Sequence, residues 1–104
     1  MIVTFNNSYL EKLFEDRPVT GKPRYSKAVI NKFKKTVLML QYAENLRELR
    51  QFKGLNFEAL KGDRKGYHSV RVDKQYRLIL SIGGDQLIEV NEILIIEDLS
   101  NHYE

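Results

Sequence analysis

Residues 60–77 read L-K-G-D-R-K-G-Y-H-S-V-R-V-D-K-Q-Y-R, and this stretch decides the fold. Two glycines, Gly62 and Gly66, enclose a basic loop. Polar and apolar residues then alternate over 69–72, which indicates a half-buried antiparallel strand. Residues 73–75 read D-K-Q, a turn signal, and a second alternating strand follows. The stretch therefore predicts a basic loop followed by a β-hairpin.

The alternation also predicts how the two strands pair. They share one apolar face only if Val70 and Val72 lie beside Leu78 and Leu80. A slip of one residue would turn a whole strand over. The pattern therefore favours a three-residue connection at 73–75, or a bulge.

The same register places Arg71 and Arg77 side by side on the opposite, open face of the sheet. Two arginines held on a rigid sheet above a basic loop suit a phosphate-rich partner. We therefore expect the charged ends of Lys61, Arg71 and Arg77 to lie within reach of a common anion. The alternative is that both arginines only neutralise acids on a neighbouring strand, such as Glu89.

The residues before the hairpin predict one strand and two to three helices. Residues 2–5 alternate and predict a first strand, at the edge or the centre of the sheet. Ser8 and Glu11 have capping-box spacing, so they predict the start of a short helix. This helix is expected to end near Asp16, because Pro18 cannot continue it.

A longer second helix is predicted from Ser26, which can cap it. Its apolar residues recur at spacings of three and four: Val29, Ile30, Phe33, Val37 and Leu40. Its opposite face carries Lys27, Asn31, Lys34 and Lys35. The pattern continues less regularly to Leu49, as a broken turn or a short separate helix. Gly54 closes this region.

From Phe57 onward the apolar period changes from 3.6 to 2, which predicts sheet. A short strand at 57–60, the hairpin, a turn at 83–85 and a long last strand at 87–96 are expected. Helices followed by strands with hairpin connections predict an α+β fold with a mostly antiparallel sheet. The face toward the helices would carry Val70, Val72, Leu78, Leu80 and Val90. No long helix is expected between residues 66 and 96.

Composition favours one domain at 1–104 and excludes several classes of protein. The chain has 104 residues, 42% hydrophobic and 30% charged, and no cysteine. It can therefore form neither disulfides nor thiolate metal sites. The longest apolar run, 93–96, is too short to span a bilayer. The first residues lack the pattern of a signal peptide. The absence of cysteine fits a reducing cytoplasm, which is the expected location.

The net charge of +3 hides a division along the chain. Residues 22–35 hold six basic side chains and no acid, and residues 61–77 hold six basic and two acidic. Residues 85–104 hold six acids and no Lys or Arg. This polarity suits a polyanionic partner on one side. The alternative is that the lysines of 22–35 only solvate a helix surface.

Several kinds of site are excluded by their missing motifs. The chain has neither a Walker loop nor a dinucleotide fingerprint. Its two histidines, His68 and His102, are 34 positions apart, which does not suit a metal site. Nothing near Ser69 or Ser100 supports a serine triad. No metal and no cofactor are expected.

The remaining side chains suit metal-free cleavage of RNA, which needs a base, an acid and stabilisation of phosphate charge. Glu58 is the candidate base. His102 is the candidate acid, because imidazole titrates near neutrality, at about 6.5. Tyr103 can orient the substrate or stack on a base. The alternatives are that Glu58 and Lys61 are surface charges, and that residues 102–103 form a frayed tail.

The stretch also resembles the HigB branch of the RelE/ParE toxin superfamily. The motifs that carry the resemblance are L-K-G-D-x-K-G-Y at 60–67, S-V-R-V at 69–72 and Q-Y-R-L at 75–78. Residues 55–59 and 100–104 add to it. The resemblance implies a RelE-like fold, with the helices on one face of the sheet. It also implies the toxin component of a type II toxin–antitoxin system that cuts mRNA on the ribosome and blocks translation.

Relatives of this kind use a Lys or Glu before the glycine loop, an Arg opening the next strand, and a C-terminal His or Tyr. The matching catalytic residues here are Glu58, Lys61, Arg77, His102 and Tyr103. The expected RNA-binding set is Lys61, Arg64, Lys65, Tyr67, Arg71 and Arg77. Many relatives end in Asp-Tyr-His, which this chain does not. They also often carry Trp where His68 stands, so a structural role is expected for His68.

The resemblance implies two macromolecular partners, mRNA on the ribosome and an antitoxin with a helix-turn-helix, similar to HigA. Two alternatives stay open from the sequence. One is a non-enzymatic toxin, similar to ParE, that inhibits DNA gyrase. The other is a degenerate toxin that only binds its antitoxin.

Overall fold

The computed structural model describes residues 1–83 and 92–101. The first half contains strand β1 (Ile2–Phe5) and helices α1 (Ser8–Phe14), α2 (Lys27–Tyr42) and α3 (Leu46–Gln51). The second half contains β2 (Glu58–Ala59), a single 3₁₀ turn (Gly62–Arg64), β3 (His68–Arg71), β4 (Tyr76–Gly83) and β5 (Ile93–Asn101). The predicted α+β class is confirmed. Within 66–83 and 92–96 there is no helix, as expected.

The five strands form one sheet in the order β1-β5-β4-β3-β2. The three pairs from β2 to β5 are antiparallel, and β1 pairs with β5 in parallel. The predicted first strand is therefore an edge strand. The strand expected at 57–60 is shorter, at Glu58–Ala59. Val90, expected in the core, lies outside the described residues.

The predicted hairpin register is confirmed. Val70 pairs with Leu78, and Arg71 pairs with Arg77. The Asp73 carboxylate organises the turn, because it accepts hydrogen bonds from the backbone nitrogens of Gln75 (2.8 Å) and Tyr76 (2.7 Å). An aspartate that bonds the backbone two and three residues later stabilises such a turn.

The last strand runs further than predicted, to Asn101 instead of Ile96. The reason is a β-bulge in the pairing of β4 with β5. Ile79 pairs with Asp98 and Leu80 pairs with Ile96, so Glu97 is an extra residue in β5. An extra residue reverses the alternation of sides beyond it. Leu99 consequently faces the core. The regular apolar alternation in the sequence ends at Ile96, so it did not predict this position.

The core lies between the sheet and the helices, which pack on one face as expected. Its largest fully buried hydrophobic members come from α1, α2, α3 and three strands. They are Leu10, Phe33, Val37, Leu40, Leu49, Val70, Leu78, Leu80, Leu94 and Ile96. Burial of these side chains is the main favourable contribution to folding.

The helix caps confirm one prediction and correct another. Ser26 caps α2, accepting a hydrogen bond from the Val29 nitrogen at 3.2 Å. The cap of α1 is Asn7, whose side chain accepts from the Leu10 nitrogen at 3.1 Å, and the predicted Ser8 is already helical. The Asn7 amide also donates to the Glu97 carbonyl at 3.2 Å. Only a cap with both a donor and an acceptor can bond the helix and β5 together.

Tyr25 joins the loop before α2 to the end of β5. Its hydroxyl donates to the Leu99 carbonyl at 2.9 Å, and its ring packs edge-on against Tyr76 at 5.6 Å. Burial, and then the charge of Asp98, raise the pKa of Tyr25 above its usual 10.0. Both causes disfavour the phenolate in the folded state.

Replacing Tyr25 with phenylalanine should lower the free energy of unfolding by about 0.5–1.5 kcal/mol at neutral pH, because one hydrogen bond is lost. The raised pKa makes this contribution fully present below pH 10 and lost as pH rises through the folded-state pKa. Urea unfolding of both proteins from pH 7 to pH 11 measures it. Equal stability at pH 7, or a difference that grows with pH, would contradict this role.

Candidate functional site

Arg77 opens β4 on the sheet face opposite the helices, and its guanidinium is held by three groups. Its Nε donates to the Ser69 hydroxyl at 2.8 Å, and its Nη2 donates to the Asn56 carbonyl at 3.0 Å. The same Nη2 lies 3.1 Å from a carboxylate oxygen of Glu58. The Arg77 side chain is only 12% exposed. Within the described residues, its Nη1 has no hydrogen bond.

The positions of Asn56 and Glu58, the partners of Arg77 before and within β2, follow from local backbone geometry. Asn56 has a φ of 48°, in the left-handed region that asparagine tolerates. Its carbonyl consequently points to Arg77. Glu58 pairs with Ser69 across β2 and β3, which puts both side chains on the Arg77 side. The Glu58 side chain is 51% exposed, so its carboxylate is accessible to a substrate.

The expectation that this sheet face stays open is wrong at its centre. Ser69 is fully buried, and Ile79 is 6% exposed. The Arg77 side chain reaches Ser69 and takes part in covering it. The sequence predicted Arg77 on an open face, but its partly buried position requires partners of its own.

The shape of the basic loop is fixed by its backbone conformation. Gly62 and Gly66 have positive φ values of 67° and 96°, which only glycine adopts without strain. The Leu60 nitrogen donates to the Tyr67 carbonyl at 2.9 Å and closes the loop. Its four candidate RNA-binding side chains are all exposed: Lys61, Arg64, Lys65 and Tyr67. None of these is ion-paired with a described residue.

Arg71 pairs with Arg77 in the sheet but has different surroundings. Its Nε donates to the Asp73 carbonyl at 3.3 Å. Its side chain also lines a groove together with Lys32, Lys35 and Lys53. The common anion site for Lys61, Arg71 and Arg77 stays a prediction. Glu89, the acid suggested as a neighbour of the arginines, lies outside the described residues. Arg77 instead forms an ion pair with Glu58 on β2.

His68 has a structural setting, in agreement with the sequence prediction. Its ring stacks on Phe57 with centroids 5.1 Å apart and an angle of 8°. The Arg50 guanidinium lies over the Phe57 ring at 5.7 Å. The Nδ1 atom of His68 is buried and has no hydrogen-bond partner within the described residues. This histidine is therefore packed against Phe57, on the strand neighbouring β2.

His102 and Tyr103, the predicted acid and its neighbour, lie outside the described residues. The described part of the chain ends with Ser100 paired to Arg77, and Asn101 paired to Tyr76. In the described residues, no group of three or more His, Asp or Glu side chains is placed to hold a metal. No described helix is long and apolar enough to cross a membrane.

Sequence reasoning missed Ser69 and Asn56 as members of this site. Ser69 was assigned to an alternating strand and a motif and was considered only for a serine triad, and Asn56 was part of a motif. The signal available for Ser69 was its position on the same sheet face as Arg77, diagonally across the β3–β4 pair. A hydroxyl there can accept a hydrogen bond from a buried arginine. The carbonyl of Asn56 has no signal in the sequence, because any residue carries one.

A comparison with protein families finds one match over most of the chain. Residues 3–94 match the model of the HigB-like toxin family, described as the RelE-like toxin of type II toxin–antitoxin system HigB. Toxin HigB-1 of Vibrio cholerae serotype O1 is 34% identical over 79 residues. That alignment covers 76% of this chain and 81% of the relative.

Solved structures share the fold at lower identity. YafQ from E. coli strain BL21(DE3) matches with a TM-score of 0.60 at 18% identity, over 96% of this chain and 91% of that chain. The E. coli DinJ–YafQ complex matches with a TM-score of 0.57 at 19% identity, over the same shares. These likenesses concern the arrangement of helices and strands.

Proposed function

Given that the chain belongs to the HigB-like family of RelE-like toxins from type II toxin–antitoxin systems, we propose that it is a ribosome-dependent, metal-independent mRNA endoribonuclease. Cleavage of mRNA in the cytoplasm would block translation. The toxin class comes from the family, ribosome-dependent cleavage is what the resemblance implies, and the described part of the site supports the proposal.

The observation that carries the proposal is the fixed guanidinium of Arg77 beside the exposed carboxylate of Glu58, with Nη2 and the carboxylate oxygen 3.1 Å apart. Hydrogen bonds to the Ser69 hydroxyl and the Asn56 carbonyl fix the guanidinium, so it is oriented before any substrate binds. A preoriented cation stabilises charge that develops in a transition state. A carboxylate next to it supplies a base within reach of the same phosphate.

In the proposed reaction, Glu58 takes the proton of a ribose 2′-hydroxyl, and the 2′-oxygen attacks the adjacent phosphorus. The bond from phosphorus to the 5′-oxygen breaks, and His102 gives that oxygen a proton. The products are a 2′,3′-cyclic phosphate and a 5′-hydroxyl. Arg77 and Lys61 stabilise the phosphate charge, and Tyr103 stacks on a base.

RNA binding in this proposal extends along the basic loop. Lys61, Arg64 and Lys65 contact phosphates, and Tyr67 stacks on a base or bonds to the backbone. Arg71 adds a cation at the end of β3. No cofactor takes part, because side chains supply the acid, the base and the charge.

An antitoxin is the proposed protein partner, with a helix-turn-helix like HigA. Toxins of this class occur in toxin–antitoxin systems, as the family description states. The E. coli relative YafQ has been solved in complex with DinJ. An exposed basic loop also suits an acidic cover.

The test is cleavage of a defined mRNA by the purified chain, with and without purified ribosomes. We expect cuts only with ribosomes, and 5′-hydroxyl ends on the downstream fragments. A parallel assay with DNA gyrase should show no inhibition of supercoiling. Intact mRNA together with inhibited gyrase would replace the proposal with the ParE-like function, and inactivity in both assays with the degenerate toxin.

A further inference from the structure

The outer surface of α2 carries an apolar stripe that no described residue covers. Leu38 and Tyr42, one helical turn apart, are 55% and 82% exposed. Met39 lies beside them, and Phe52 completes an apolar groove of about 350 Å³. A helix packed on a sheet normally turns polar residues outward. An exposed apolar groove of this kind indicates a binding surface.

A basic groove borders this stripe. Its volume is about 330 Å³, and Met39 lines both grooves. Its cationic side chains are Lys32, Lys35, Lys53 and Arg71, and no described Asp or Glu lines it. Within residues 1–83 and 92–101, none of these four forms an ion pair. The two grooves together are called the α2 outer surface below.

The order of residues along α2 gives this surface a direction. Lys35, Leu38, Met39 and Tyr42 are spaced at i, i+3, i+4 and i+7, so they lie on one face of the helix. Lys32 extends that face toward the N-terminus of α2. The surface is therefore positive toward the start of α2 and apolar toward its end. A matching partner carries acidic and apolar side chains in separate clusters along one element.

We propose that the α2 outer surface binds an acidic amphipathic helix of the antitoxin. The proposal rests on the proposed function, which supplies the antitoxin, and identifies where and how it binds. Large apolar side chains of the helix fill the groove between Tyr42 and Phe52. Its Asp and Glu side chains pair with the cations of the basic groove.

Charge alone would equally suit an RNA backbone, but the apolar stripe favours a protein. Leu38 and Met39 are aliphatic, whereas nucleic acids are bound by cations and by aromatic side chains on which bases stack. Burying Leu38 requires an apolar partner. The helix-in-groove mode satisfies both the stripe and the cations.

The experiment measures binding of the purified chain to the antitoxin purified from the same operon, by isothermal titration calorimetry. Leu38→Ser and Tyr42→Ser should each raise the Kd at least about tenfold. Ile2→Ser is the matched control, because Ile2 is an apolar residue 47% exposed on β1. Lys35→Glu should also weaken binding about tenfold, whereas Lys12→Glu on α1 should not. The Tyr42 side chain is mostly exposed, so that variant keeps the core intact.

A photo-crosslinker in place of Tyr42 should join an acidic helical segment of the antitoxin, and one in place of Ile2 should not. If wild type binds the antitoxin and both serine variants bind equally well, this inference is overturned while the proposed function stands. If the serine variants lose ribosome binding and keep the antitoxin, the surface belongs to RNA and the inference fails. A wild-type chain that binds no operon-encoded protein overturns the proposed partner itself.

Discussion

The His102→Ala variant is expected to cleave ribosome-bound mRNA at least about 100 times more slowly than wild type. A general acid contributes about 10²–10⁴ in rate, and His102 is the proposed donor to the leaving 5′-oxygen. Among the described residues, β5 brings Ser100 opposite Arg77. Single-turnover cleavage, followed by primer extension on purified ribosomes, measures the rate.

The second histidine of the chain gives a matched control. His68 stacks on Phe57, and His68→Phe keeps a ring in that position. We expect this variant to cleave at nearly the wild-type rate. His102→Ala should also retain wild-type unfolding and antitoxin binding. Wild-type cleavage by His102→Ala would remove the tail from the mechanism and direct attention to Lys61 and Tyr67.

The Arg77→Ala variant should lose both activity and stability. Removing one preoriented donor to a transition-state oxyanion costs about 100- to 1000-fold in rate. The change also leaves the buried Ser69 hydroxyl and the Asn56 carbonyl without their donor. Charge-assisted hydrogen bonds contribute about 1.5–3 kcal/mol, so we expect a loss of about 2–4 kcal/mol in the free energy of unfolding.

Two further variants separate these effects, with cleavage assayed at a temperature where all the proteins are folded. Arg77→Lys retains the charge but not the planar fork that reaches three partners, so most of the rate should stay lost. Arg64→Ala removes an exposed loop arginine without an ion pair in the described residues, and its stability should change by less than about 0.5 kcal/mol. An Arg77→Ala protein as stable and active as wild type would refute this account of the site.

The fold was predictable where one pattern determines one structure. Alternation around Val70 and Leu78 has a single register that buries both, and the structure adopts it. The end of β5 was not predictable, because the extra residue Glu97 shifts the alternation without changing composition. Asn7, which caps α1 in place of Ser8, also contacts β5, which is distant in sequence.

The candidate site shows the same limit. The pairing of Arg71 with Arg77 follows from strand geometry and was expected. The separate surroundings of the two arginines were not, because they depend on Asn56 in a left-handed conformation and on the lysines of α2. Side-chain partners from other elements are set by tertiary packing, which a local pattern does not contain.

The position of β5 in the sheet has a consequence for the order of synthesis. β5 lies between β1 and β4, although the ribosome makes it after every other described strand. A nascent chain that ends before Ile93 has no partner for β1 and lacks Leu94 and Ile96 from its core. Contacts between residues so far apart in sequence slow folding, because a long loop must close before they form. We therefore expect the sheet to be completed only after β5 has been made.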